Sequence, residues 1–130
     1  MANEEKLETG SIIWTDLTVA NADEIKDFYS NVIGWKPETV QMGGYNDYSI
    51  NSPETGRTVA GVCHSKGVNA DLPPKWLIYI TVTDVDESVE KCLKNGGKII
   101  AAPRNMSEYG RYCVIQDPAG AVAALFSQIE

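Results

Sequence analysis

Few side chains in this sequence could do chemistry, and their spacing restricts what they could do. The chain has a single histidine, His64, directly preceded by Cys63. A thiol next to an imidazole has the composition of a nucleophile and its base. Asp16 stands two residues after Trp14 in the run WTDLTV. In an extended strand that spacing puts carboxylate and indole on one face. The pair suits a cationic or hydroxylated ligand, or a general base if an apolar setting raises the carboxyl pKa. Arg111, in YGRY, is positioned for the rim of a site or for an ion pair with Asp16.

One histidine also limits metal chemistry. A two-His, one-carboxylate iron site is excluded within the chain, and a zinc site could hold only one His. An all-carboxylate magnesium site stays open in principle, but Asp and Glu fall mostly at helix starts and turns. The Cys63–His64 dyad is disfavoured because neighbours on a strand point to opposite faces. A surface histidine at a strand end is expected instead. No phosphate loop, GxSxG elbow or dinucleotide fingerprint occurs.

The elements that must position these residues come in two copies. WTDLTVANADE begins at Trp14 and LIYITVTDVDE at Leu77. With Leu17 set over Ile80, Thr18 meets Thr81, Val19 meets Val82, Asp23 meets Asp86 and Gly34 meets Gly97. Each copy reads as a strand that enters a helix. Asn21 with Glu24, and Asp84 with Glu87, have the spacing of capping boxes. Ile25, Phe28, Tyr29, Val32 and Ile33 make one apolar helix face, and Val85, Val89, Cys92 and Leu93 make the other. Gly34 and the pair Gly96-Gly97 end the helices. Strands follow at 36–42, 45–51 and 57–64, and again at 97–103, 110–116 and 120–127. Two β-α-β-β-β modules are therefore expected, 11–64 and 76–130. They are joined by a turn-rich linker, 65–75, and preceded by a loose tail or swapped arm, 1–10. Neither module can bury a sheet face alone, so they pair as one domain.

The bulk numbers suit such a domain. The chain has 130 residues, 43% hydrophobic and 22% charged, and no apolar run long enough to span a bilayer. MANEEKLETG lacks the apolar region of a secretory leader. Net charge is −7, with 18 acidic and 11 basic residues and no basic cluster. Nucleic acid and membrane are therefore not expected as partners. Three cysteines without CxxC spacing argue for reduced thiols in a cytoplasm rather than a disulfide framework.

The repeat, with FYSNVIGW after the first strand and DPAGAVAALF near the end, resembles the vicinal oxygen chelate superfamily of glyoxalases, bleomycin resistance proteins and extradiol dioxygenases. WTDL and DPAGA look closest to a glyoxalase-like or hydroxylase-like branch. The resemblance implies an α+β fold: a half-open, cup-shaped, eight-stranded mixed sheet with helices on its convex side. It also implies four metal-ligand positions, which by alignment fall on Trp14, Gly61, Leu77 and Ala124. None of these side chains binds a divalent metal, so neither a metal nor any other cofactor is expected.

If those four positions face the cup, strand alternation brings Asp16, Thr18, Val59, Cys63, Tyr79, Thr81, Val122 and Phe126 with them. The candidate ligand-binding set is Trp14, Asp16, Gly61, Leu77, Tyr79, Arg111 and Ala124. The expected function is metal-independent binding of a small organic molecule in the concave pocket, by a cytoplasmic homodimer. Three alternatives stand beside it. One is sequestration of a cationic drug. Another is a metal-independent hydroxylase-like or isomerase-like enzyme using Asp16 or a tyrosine. The third is a cup filled by its own aromatics.

Overall fold

The computed structural model of the chain describes residues 7–108 and 110–129, apart from the Val68 side chain. The class is α+β, with eight strands in mixed pairing and two α-helices among the described residues. The chain divides into two compact units, Trp14–Trp76 and Met1–Ile13 with Leu77–Glu130. Of the tail expected at 1–10, residues 1–6 lie outside the described residues.

The contiguous unit holds most of β1 (Ile12–Val19), then α1 (Ala22–Ile33), β2 (Lys36–Gln41), β3 (Asn46–Asn51) and β4 (Thr58–His64). Its strand order is β2-β3-β4-β1; β1 runs parallel to β4 and the other pairs are antiparallel. Ala22 of α1 clusters with Tyr48, Ile50, Ala60 and Val62, and Ile25, Trp35 and Trp76 pack around them. The helix therefore covers the strand face that carries Tyr48 and Val62.

The other unit repeats the plan with β5 (Trp76–Thr81), α2 (Val85–Lys94), β6 (Lys98–Asn105), β7 (Gly110–Gln116) and β8 (Val122–Gln128). Its order is β5-β8-β7-β6, with β5 parallel to β8. Val85 of α2 packs with Cys113 and Leu125, ringed by Ile80, Val82, Val89 and Ile115. Residues 7–13 belong to this unit. Gly10 N–H donates to Thr81 O at 2.7 Å, Thr81 N–H to Ser11 O at 2.9 Å, and Leu7 N–H to Gln128 Oε1 at 2.8 Å.

The helix ends differ from the expected symmetry. Asp84 accepts from the N–H groups of Asp86 and Glu87, a true side-chain cap. Asn21 does not cap; its amide donates to Glu24 Oε1 at 3.2 Å. The left-handed glycine that matches Gly34 (φ 92°) is Gly96 (φ 90°), not Gly97. Each stands next to a turn proline, Pro53 and Pro118 respectively. The second helix has 10 residues against 12 in the first, which moves its stop off the strand-based alignment.

The apolar helix faces are narrower than the periodicity implies. Ala22, Ile25 and Tyr29 form the stripe of α1 that reaches the core. Phe28, Val32 and Ile33 flank it and are at least half exposed, as is Leu93 on α2. Tyr29 instead anchors an aromatic group: Trp76 Nε1 donates to its hydroxyl at 3.1 Å, and the Trp35 and Trp76 rings lie within 6 Å of each other. These tryptophans pack structure.

Candidate functional site

Cross-strand register decides which side chains share a face, because directly paired residues point the same way. In the contiguous unit Leu17 pairs with Val62 on the side of α1, and Asp16 pairs with Gly61 on the other. Trp14, Asp16 and Thr18 therefore share the helix-free face with Gly61 and Cys63. On this face Trp14 Nε1 donates to Asp16 Oδ2 at 3.3 Å. Gly61 lies under both: a Cβ there would stand 3.3 Å from Asp16 Cβ and 3.4 Å from Trp14 Cζ2. The missing side chain is what lets indole and carboxylate lie against the sheet.

Asp47 joins them from β3, on the side opposite Tyr48. Its carboxylate is largely buried and accepts from the His64 backbone N–H at 2.9 Å. Cys63 lies near Asp16 and Asp47. Burial pushes its thiol up to about 12, and both carboxylates add to the shift. A thiol so poised is protonated at neutral pH and is no nucleophile. Asp47 was not singled out from sequence, although period-2 alternation through 46–51 marks it once Tyr48 is known to face the helix.

His64 corrects an expectation. It is 8% exposed, not a surface residue. Its Nδ1 is 2.8 Å from Asn46 O, its Nε2 lies 3.8 Å from Asp23, and Tyr45 meets it edge-on at 5.5 Å. It stands on the helix side, opposite Cys63, so the two form no dyad.

In the other unit Tyr79 pairs with Ala124 and Thr81 with Phe126 on β8. Ala124 and Phe126 pair in turn with Val114 and Tyr112 on β7. Cys113 and Leu125 pack on α2, so Leu77, Tyr79, Tyr112, Ala124 and Phe126 share the helix-free face. The Tyr79 and Tyr112 rings are 6.4 Å apart. Arg111 is on the opposite side. Its Nε and Nη2 hold both oxygens of Asp86 at 2.8 and 3.0 Å, and Nη1 donates to Asn105 at 3.1 Å. The Arg111 hydrogen bond holds the Asp86 carboxyl below its ordinary range. Neither the rim position nor the Asp16 ion pair expected for Arg111 is where the structure puts it, because its parity follows Cys113.

The metal positions can be tested on their donors. Gly61, Leu77 and Ala124 are buried and offer no ligating atom. Trp14 offers only an N–H that already donates to Asp16. These four residues do not fit a divalent metal. Among the described residues no group of three or more His, Cys, Asp or Glu is placed to hold one. No helix among them is long and apolar enough to cross a membrane.

Residues 11–125 match the Glyoxalase/Bleomycin resistance protein/Dioxygenase superfamily. Over 115 residues the chain is 30% identical to "Putative glyoxylase CFP32" of Mycobacterium tuberculosis, covering 88% of this chain and 43% of that protein. It is 29% identical over 129 residues to the anthracycline biosynthesis protein DnrV of Streptomyces peucetius, covering 90% of this chain and 46% of that one. The chain thus spans less than half the length of these curated relatives. The crystal structure of methylmalonyl-CoA epimerase from Mycobacterium tuberculosis superposes with a TM-score of 0.57 at 15% identity, covering 100% of this chain and 97% of that one. At that identity the likeness is one of fold. With the repeat, the fold and the match over 11–125 agreeing, the chain belongs to the Glyoxalase/Bleomycin resistance protein/Dioxygenase superfamily.

Proposed function

We propose that this chain binds a small organic molecule on the helix-free faces of its strands, and that it does so without a metal. The observation that carries the reading is the Trp14–Asp16 pair over Gly61. An indole gives stacking area, a carboxylate next to it gives orientation, and a glycine keeps the sheet open beneath them. The second repeat has its own aromatic and apolar helix-free face, at Leu77, Tyr79 and Ala124. The donor chemistry at the four family ligand positions supports metal independence.

A second reading has its own support. Asp16 and Asp47 on one face, with the net charge of −7, favour a cationic ligand held unchanged, as in drug sequestration. If Asp16 or a tyrosine instead acts as a base, the ligand is a substrate. The names of the relatives include a glyoxylase and an anthracycline biosynthesis protein, and both fit a small organic ligand.

A cytoplasmic homodimer belongs to the same reading. Three free thiols support the compartment, and the exposed Phe28, Val32 and Ile33 support self-association.

The test is a thermal-shift and native-mass screen of the purified chain against small organic molecules, with elemental analysis alongside. Saturable binding without stoichiometric metal is expected. About one chelatable metal per chain, required for binding, would overturn the metal-free reading. Product formation would assign the enzymatic one.

A further inference from the structure

Arg104 is built into the helix-free face of the second repeat in a way its place in the sequence conceals. The β6–β7 register shifts twice, between Ile99 and Ala101 and between Ala101 and Arg104, so β6 carries two bulges. Each inserts one residue. Without the second, Pro103 would stand opposite Tyr112; with it, Arg104 does. A one-residue slip reverses every side chain beyond it. The bulge thus turns Arg104 onto the face of Tyr79, Tyr112 and Phe126. Its guanidinium carbon lies 5.7 Å from the centre of the Tyr112 ring.

The Arg104 Nε is buried and has no hydrogen-bond partner among the described residues. A buried donor on a cation is costly to leave unsatisfied. The cation–π contact supports the charge but takes up no N–H donor. Gly110 keeps the neighbourhood tight, since a Cβ there would fall 2.3 Å from the Phe126 ring. Arg104 is therefore a donor held in an aromatic frame, on the face argued above to take ligand.

We infer that Arg104 is an anion-binding residue of this face, and that the ligand carries a carboxylate or phosphate oxygen which accepts from Nε while its organic part lies along Tyr112 and Tyr79. This rests on the small-molecule reading and narrows it. The ligand class becomes organic acids or phosphate esters rather than simple cations.

Four probes matched in their ring separate the possibilities: benzoate, phenyl phosphate, benzyl alcohol and benzylamine. The wild-type chain, labelled with 15N at arginine Nε, is titrated with each and followed by NMR. Benzoate or phenyl phosphate should shift the Arg104 Nε–H resonance and bind about tenfold tighter than benzyl alcohol, as a charge-assisted bond requires. Whichever of the two binds better identifies the anion. Arg104→Gln should abolish that preference. Arg104→Lys, which keeps the charge without the Nε donor, should retain only part of it.

Benzyl alcohol binding as well as benzoate, or an unchanged preference in Arg104→Gln, would overturn the role of Arg104 and leave the small-molecule reading standing. Preference for benzylamine would do the same and favour the cationic reading. Failure of all four probes to bind would count against both. If Arg104→Gln does not fold, the wild-type Nε–H resonance still decides, because an arginine with a purely structural role would not respond to the anion.

Discussion

The Tyr48 hydroxyl donates a hydrogen bond to the carboxylate of Asp23, tying β3 to the first turn of α1. That bond, then burial, then the nearby Asp23, Asp27 and Asp47 charges, push the phenol up to about 12. The folded pKa lies above the unfolded one, so the fold favours the neutral phenol. The associated stability is complete below about pH 10 and is lost as pH rises towards 12. Tyr48→Phe should cost about 1 kcal/mol at neutral pH. It should also flatten the loss of stability between about pH 10 and 12 seen in the wild type. Urea denaturation across that range measures both.

Thiol labelling tests the surroundings of Cys63. With Cys63 pushed up to about 12 and Cys113 to about 11, both should react slowly with iodoacetamide at pH 8. Asp16→Asn removes one of the two carboxylates next to Cys63 and should speed its labelling, by up to about tenfold for each unit its pKa falls. An unchanged rate would mean that Asp16 does not act on that thiol.

Ligand binding should separate the roles of Trp14 and Asp16. Trp14→Ala removes the stacking surface and should weaken any ligand found by screening. Asp16→Asn should weaken a cation by about 1–3 kcal/mol if the carboxylate pairs with it. If Asp16 is a base, the same change should abolish turnover and largely spare binding. Isothermal calorimetry alongside product analysis distinguishes the outcomes.

Two glycines should respond differently to alanine. At Gly97 a Cβ would meet Cys92 Sγ at 2.4 Å and Gln116 O at 3.0 Å, so Gly97→Ala should destabilise the fold by about 1–3 kcal/mol. At Gly61 the approaches are 3.3 and 3.4 Å, to Asp16 and Trp14. Gly61→Ala should leave the melting temperature close to that of the wild type while lowering ligand affinity, because it pushes on the two side chains that would hold the ligand.

Alternation carried the sequence reading a long way. The placement of Trp14, Asp16, Gly61, Leu77, Tyr79 and Ala124 on helix-free faces follows from period 2 once one face is assigned. Parity failed where no local signal reports a bulge. Arg104 could not be placed from sequence, since the two extra residues in β6 exist only in its pairing with β7. The strand through Arg111 was expected at 110–116 and lies there, but parity with Cys113 puts Arg111 on the α2 side, where Asp86 takes its guanidinium. His64 looked exposed because strand ends usually are. Its burial comes from Tyr45, Asn46 and Asp23, which no spacing rule brings together.

The division of the chain at Ile13 and Trp76 sets an order for synthesis on the ribosome. Residues 14–76 form one unbroken stretch, so every strand and the helix of that unit exist once Trp76 has emerged. The other unit combines residues 7–13 with strands made after Trp76. Ser11 is made early, yet its partner Thr81 follows 70 residues later. Vectorial synthesis therefore lets the inner unit condense first, while residues 7–13 wait through its completion for their partners in the other unit. Closure of the second repeat is thus expected to follow that of the inner unit, because the Ser11–Thr81 contact must bridge 70 residues of sequence.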